Sequence, residues 1–319
     1  MAVTQALICK SASARGAPSL DQLEVFLAVV EAGSFAAAAR RLGRATSVIS
    51  YQIDNLELQL GLALFVRSGT RKPQLSSAGR SLIADAFAVI EGVDRLTAKA
   101  KGLRGGLEAE ISLAVDVMLP TWRLTDAAQA FKAAFPTVPL RLHVEGLGAV
   151  TQLILEGTAS LGLCGALHVD APGLERLSAG AVELIPVAAP FHPLAGRRAA
   201  RPGDARGHVQ LVLSDRSTLT AGQDFGVLAR ETWRVADLSS KHALLLAGVG
   251  WGFMPRPLVQ PNLEAGRLVA LDLLDGPSVD YTFSLTYRTA SPPGPAGLWL
   301  IDRFRAQAEG APAALAVVA

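Results

Sequence analysis

The stretch SFAAAARRLGRATSVISYQIDNLELQL, residues 34–60, decides the reading of the first part of this chain. Two apolar-periodic segments meet there at Gly43-Arg44. Ser34 is a suitable helix N-cap, and FAAAARRL after it consists of strong helix formers. Small Ala38 and Ala39 allow another helix to approach closely. The second segment runs from Thr46 to Leu60, and its spacing predicts that Val48, Ile49, Ile53, Leu56 and Leu60 face inward. Its first turns carry hydroxyls, and no acid precedes Asp54. A short helix, a glycine break and a hydroxyl-rich second helix read as a helix-turn-helix made for a DNA groove.

The flanks extend this reading. Leu20, Leu23, Phe26, Leu27 and Val30 form one helical stripe that ends at Gly33. Downstream, the segment from Leu64-Phe65 to Leu75 reads as two short extended pieces around the basic turn SGTRKP, with Pro73 at a strand edge. That is the wing of a winged helix. Ser77 is read as the cap of a long helix from Ala78 to about Leu103. Its apolar positions Ile83, Phe87, Ile90, Val93 and Leu96 recur at spacings of three and four, which suggests a helix that pairs with a second subunit. Arg104-Gly105-Gly106 is the expected hinge.

The chain has 319 residues, half of them hydrophobic and 18% charged, an ordinary globular composition. Its formal net charge is only +2, so a nucleic-acid argument rests on local charge. Residues 40–80 hold Arg40, Arg41, Arg44, Arg67, Arg71, Lys72 and Arg80 against Asp54 and Glu57, seven bases against two acids or +5. Cys9 and Cys164 have no metal spacing and form no disulfide framework. Cys164 lies in LGLCG and reads as a buried strand residue rather than a redox sensor or nucleophile. No apolar run reaches the ~18 residues of a membrane span. The opening MAVTQALICKSASARGAP places its apolar piece before Lys10, the wrong order for a secretory signal. The expected location is cytoplasmic, with no membrane partner. No catalytic, metal or cofactor constellation is found.

From residue 108 strands and helices alternate, so an α/β domain with a mainly parallel sheet is expected, large enough for two lobes. Ligands in such lobes bind at strand C-terminal ends near helix N-termini. The cleft candidates are then Asp116 to Thr121, Gly146 to Thr151, Ser214 to Ser217, and Trp251 to Met254. Asp116 reads as a helix cap or as a carboxylate facing the ligand, the cap being favoured. Arg216 reads equally as a ligand-facing cation or a surface turn residue. GVGWG lacks the context of a dinucleotide fingerprint.

The run Leu23, Phe26, Gly33-Ser34-Phe35, Ala38-Ala39, Leu42, Ser47, Ser50, Ile53, Leu56-Glu57, Gly61, Leu64-Phe65, Arg67, Leu75 and Ala78-Gly79 resembles the LysR-type transcriptional regulators. So do FPTVPLRLHVEG, EGTASLGLCG, FHPLAG and AGVGWGFMPRPLVQPNLEAGRLVAL, in the family's order and spacing, over roughly residues 20–308. The resemblance implies an N-terminal winged helix-turn-helix, a long linker helix, and a C-terminal two-lobed α/β domain like type 2 periplasmic binding proteins. It also implies homodimers or homotetramers, a small-molecule effector of unknown identity between the lobes, and no enzymatic activity. His192, in the family's HPL pattern, reads as structural.

The expected domains are an extension at 1–19, the winged helix-turn-helix at 20–77, linker helix and hinge at 78–106, the effector domain at 107–310 and a tail at 311–319. Lobe I would comprise about 107–187 and 273–310, and lobe II about 188–272. Double-stranded DNA is the expected partner of Ser34, Arg44, Thr46, Ser47, Ser50, Tyr51, Arg67, Arg71 and Lys72. The family often has Gln, Ser or Thr, and Arg where this chain has Thr46, Ala45 and Tyr51. Asp116, Met118, Thr121, Gly148, Ala149, Ser214, Asp215, Arg216, Trp251 and Met254 are the effector candidates. RNA polymerase is a further candidate partner. Two alternatives are a regulator whose α/β half only holds an oligomer together, and an enzyme using Cys164 with a histidine such as His168.

Overall fold

The structure, a computed structural model, describes residues 16–66, 73–166, 171–196, 201–220, 223 and 225–309. Cys9, Arg67, Arg71, Lys72, His168 and the tail from 310 lie outside the described residues. Two compact units divide at Lys101/Gly102.

The first unit opens with α1 (Leu20–Ala32), α2 (Phe35–Leu42) and α3 (Thr46–Leu60). Ser19 and Gln22 form a reciprocal capping box at the start of α1. Ser34 caps α2 by accepting the Ala37 amide at 3.1 Å. Ala45 offers α3 no side-chain cap. Strand β1 (Phe65–Val66) pairs antiparallel with β2 (Gln74–Leu75), Phe65 opposite Leu75. Glu57 fixes the approach to β1 by accepting the amides of Leu64 at 2.6 Å and Phe65 at 3.0 Å. The core of this unit gathers Phe26, Val29, Ala38, Ile49, Ile53, Leu56 and Phe65. Phe65 meets Phe26 edge-on, with centroids 5.9 Å apart.

Helix α4 (Ser77–Arg104) follows. Its cap is Ser76 rather than Ser77: the Ser76 hydroxyl accepts the Gly79 amide at 2.9 Å and donates to the Ala63 carbonyl at 2.6 Å. Gly79 lets α4 cross close to β1, since a Cβ there would stand 2.2 Å from the Leu64 carbonyl oxygen.

In the second unit come β3 (Ile111–Asp116), α5 (Thr121–Ala134), β4 (Leu140–Glu145), α6 (Gly148–Leu155), β5 (Leu161–Cys164) and β6 (Leu174–Ala188). Then follow β7 (Gln210–Leu213), β8 (Thr232–Val235), α7 (Leu238–Leu246), β9 (Trp251–Pro255) and α8 (Arg256–Glu264). The last elements are β10 (Val269–Ala270), β11 (Val279–Arg288) and α9 (Pro295–Glu309). The sheet order is β4-β3-β5-β11-β6-β9-β7-β8, with β10 on β6.

The expectation of a mainly parallel sheet needs correction. Both ends are parallel: β3 with β4 and β5, and β7 with β8 and β9. The middle is antiparallel, because β6 pairs in that sense with β11, β9 and β10. Strand β6 is 15 residues long and serves both ends. Its first half lies against the last residues of β11, and its last residues lie against β9. A chain that must cross between two parallel half-sheets and return needs such a strand pair.

Candidate nucleic-acid interface and ligand cleft

Helix α3 sorts its side chains cleanly. Ile49, Ile53 and Leu56 are buried, while Thr46, Ser47, Ser50 and Tyr51 are exposed. Among the described residues none of these four hydroxyls has a hydrogen-bond partner, so all are open to base edges or phosphates. Val48 was expected inside, but it is 42% exposed among the hydroxyls. An apolar side chain there suits contact with a thymine methyl group. The reason is geometric: Val48 precedes Ile49, and one residue turns a helix by more than a quarter-turn away from the buried stripe.

Two candidates are engaged within the unit. The Ser34 hydroxyl serves as a cap. The Arg44 guanidinium lies 2.6 Å from Asp21, which also accepts from Gln52 at 3.2 Å. The hydrogen bond to Asp21 raises the pKa of Arg44, and that from Arg44 lowers the pKa of Asp21. Asp21 thus ties the start of α1 to the approach and middle of α3. Arg67, Arg71 and Lys72 fall outside the described residues.

The expected pairing stripe on α4 divides. Ile83 and Ile90 pack, half-buried, against the unit's own core. Val93 is half-buried, whereas Phe87 and Leu96 are 48% and 68% exposed. Val89 is 48% exposed as well.

In the second unit, Asp116 is buried at the end of β3. It does not cap α5, whose N-cap is Pro120 with no side-chain bond. Instead it accepts the Met118 amide at 2.8 Å and the Tyr281 hydroxyl at 2.9 Å. Burial lifts its pKa to about 6, against the lowering effect of the Met118, Tyr281 and Leu147 donors. Leu147 alone among described non-glycine residues has a positive φ, 56°. A strained residue of this kind is held by its surroundings and often marks a working site.

The next residue, Gly148, starts α6 and donates its amide to Asp215 at 3.0 Å. Asp215 also accepts from the Ser217 amide and hydroxyl, each at 2.8 Å, and from the Thr220 hydroxyl. Burial alone would raise its pKa, but these donors hold it below the ordinary carboxylate value. A helix N-terminus favours the same negative charge. Arg216 faces Glu145 at 3.6 Å, and Gln152 accepts the Thr218 amide at 3.1 Å. The segment after β7 is therefore bonded to the ends of β4 and α6.

Two cavities flank this region. One, of about 490 Å³, is lined by Asp116, Met118 and Thr121 together with Trp122, Leu238 and Pro257. The other, of about 290 Å³, is lined by Met118, Leu147, Leu184, Gln210, Lys241, Phe253 and Tyr281 among others. Met118 borders both. Gly148, Ala149, Ser214, Asp215 and Arg216 line neither cavity. Trp251 and Met254 are fully buried and line neither cavity. Trp251 belongs to an apolar cluster with Leu194 and Leu271, and Met254 to the main core. From β9, Phe253 and Pro255 line the cavities instead. Lys241, Tyr281 and Gln210 also line the smaller cavity and lie outside the segments named from the sequence. Tyr281 could not be reached by the rule of strand C-terminal ends, because it lies near the N-terminal end of β11.

Cys164 is a buried residue of β5, and the Thr151 hydroxyl donates to its sulfur at 3.5 Å. Burial pushes its thiol pKa up, so it remains a thiol rather than a reactive thiolate. His192 is buried, its Nδ1 accepting the Leu194 amide at 3.2 Å. Among the described residues no group of His, Cys, Asp or Glu could hold a metal, and no single helix is long and apolar enough to cross a membrane.

A helix-turn-helix unit with free hydroxyls on its second helix, followed by a mixed α/β unit with ligand-sized cavities, defines a ligand-responsive DNA-binding regulator. The comparisons agree. Residues 20–80 match the bacterial regulatory helix-turn-helix protein of the lysR family, and residues 104–309 match the LysR substrate binding domain. The chain belongs to the LysR family of transcriptional regulators, which bind DNA and effector ligands and are not enzymes.

It is similar to the HTH-type transcriptional regulator AceR of Acinetobacter baumannii, 30% identical over 291 residues, covering 89% of this chain and 96% of the relative. It is also similar to YeeY of Escherichia coli strain K12, described as an uncharacterized HTH-type transcriptional regulator. That match is 30% identical over 263 residues and covers 79% and 82% of the two chains. Among solved structures, an OxyR mutant from Corynebacterium glutamicum matches with a TM-score of 0.55. It is 21% identical, over 93% of this chain and 95% of that one, a likeness of fold.

Proposed function

We propose that this regulator reads DNA with the exposed face of α3 and changes its grip on DNA when a small molecule occupies the cleft beside Met118. Residues 20–77 act as the DNA-binding domain, 78–106 as linker and pairing helix, and 107–310 as the effector domain with two lobes. The single observation carrying the DNA half is the row of unpartnered, exposed Thr46, Ser47, Ser50 and Tyr51 around exposed Val48. The basic side chains of Arg67, Arg71 and Lys72 supply phosphate contacts. Such a helix has few strong base-reading groups, so half-site spacing and DNA shape carry much of the specificity.

The effector half rests on the two cavities and on the strained turn at Leu147 between them and the Asp215 contact. An effector shifts the arrangement of the lobes only by its differential affinity for open and closed forms. Exposed Phe87 and Leu96 on α4 support pairing with a second copy, as a dimer or within a tetramer. The test is selection of bound fragments from genomic DNA by the full chain. Recovery of fragments with two-fold related half-sites supports the reading, and recovery without sequence preference removes it.

A further inference from the structure

The smaller cavity contains a cation that no described residue neutralises. Lys241 on α7 is 3% exposed and, among the described residues, is the only charged side chain on that wall. Its ammonium donates to the Phe253 carbonyl at 2.8 Å. Among the described residues it has no ion-pair partner. An ammonium has three donors, so two remain unused here. Burying an unpaired charge is costly, and removing the charge by proton loss is the usual relief. Accordingly, burial brings the pKa of Lys241 down to about 8.

The other polar side chains on the wall are committed. The Gln210 oxygen accepts the amides of Leu228 at 2.8 Å and Ala229 at 3.0 Å, and its nitrogen donates to the Gly226 carbonyl at 2.7 Å. The Tyr281 hydroxyl donates to Asp116 and accepts from the Ala166 backbone. The path for the lysine stem is also built in. A Cβ at Gly252 would stand 3.2 Å from Lys241 Cε and 2.6 Å from the Leu211 carbonyl oxygen.

We propose that the ligand of this cavity is a small organic monoanion, an apolar body bearing one carboxylate that pairs with the Lys241 ammonium. The proposal rests on the reading of this cleft as the effector site. The body lies against Met118, Leu184 and Phe253. A phosphate carries close to two charges at neutral pH, and the wall offers one cation. A cationic ligand would oppose Lys241, and a neutral one would leave it unpaired. The volume of about 290 Å³ is at the lower edge of ligand sites, roughly 300–1,000 Å³. The acid is therefore small.

The test is calorimetry on the full chain with hexanoate, phenylacetate and benzoate, each beside its primary amide. The acids bind and the amides bind at least about tenfold more weakly, as expected for loss of a buried charged hydrogen bond. Lys241→Met lowers acid affinity by about ten- to a hundredfold and leaves the amides unchanged. Should the methionine variant fail to fold, Lys241→Gln gives the same loss. The proposal is overturned if acids and amides bind alike, if a folded variant keeps acid affinity, or if none of the acids binds at millimolar concentration. Footprints separate this claim from the effector reading. Acid binding through Lys241 with an unmoved footprint removes the effector role and keeps the ligand class. A footprint moved only by neutral or cationic compounds does the reverse.

Discussion

The Asp215 carboxylate accepts the backbone N–H of Gly148 at 3.0 Å and so bonds the segment after β7 to the first turn of α6. A side chain at 148 would displace the groups bonded there. A Cβ there would stand 2.5 Å from the Ser217 hydroxyl and 2.7 Å from the Asp215 carboxylate. Asp215→Ala leaves the donors of Gly148, Ser217 and Thr220 without their acceptor, at about 1–3 kcal/mol of local stability. Amide hydrogen exchange is the measurement. Faster exchange at Gly148 and residues 214–218 is expected in Asp215→Ala and in Gly148→Ala. Unchanged exchange in both variants would show that the contact does not hold these two segments together.

Asp116 sets a pH dependence of definite sign. Its pKa is about 6 in the folded chain, above the 3.8 of an unperturbed carboxyl. The folded state therefore holds the proton more tightly. Its contribution to stability is complete below the unfolded pKa and is lost as pH rises through about 6. A displacement of that size corresponds to about 3 kcal/mol. Trp122, Trp233, Trp251 and Trp299 all lie in the second unit, so urea unfolding followed by tryptophan fluorescence reports on that unit alone. Relative to Asp116→Asn, the wild-type chain loses stability between about pH 4 and about pH 7. Parallel curves would remove this role.

The α3 face predicts two kinds of mutant. Ser47→Ala and Val48→Ala change the ranking of sequences selected from random DNA, by about 1 kcal/mol or more at the affected base. Arg71→Ala lowers affinity for many sequences alike and reduces the salt slope by about one. A Ser47 variant with an unaltered ranking, or an Arg71 variant with the full salt slope, would contradict these assignments.

On α4, core and pairing positions separate by experiment. Ile83→Ala and Ile90→Ala weaken the first unit by about 1–3 kcal/mol, because they pack against its core. Phe87→Asp and Leu96→Asp leave melting of that unit near wild type and shift the chain toward monomer in sedimentation. Variants at Phe87 and Leu96 that sediment as wild type would place pairing elsewhere.

Much of the first unit is legible in the sequence, because its helices carry their own punctuation in Ser34, Gly33, Gly43 and Gly61. Val48 was misassigned, since a one-residue step decides whether a side chain faces core or groove. Ser76 was passed over for its neighbour Ser77, either of which satisfies a composition rule. In the second unit the short parallel strands read as apolar runs. The first half of β6, LERLSAG, and the whole of β11 did not, since polar residues alternate through both and Gly180 interrupts β6. Those are the strands that make the sheet mixed and bring Tyr281 to Asp116. Nothing in the sequence around Lys241 distinguishes it from a solvent-facing helix lysine. Only the fold shows that it is buried, with no counter-charge among the described residues.

The most direct measurement is DNase I footprinting of the full chain on a selected genomic site, with and without the three acids and a broad panel of metabolites. Calorimetry in parallel establishes that the cleft is filled. The account predicts that an occupied cleft changes the length of the protected region or the bend of the DNA. An unchanged footprint with the cleft occupied, across the whole panel, would contradict it.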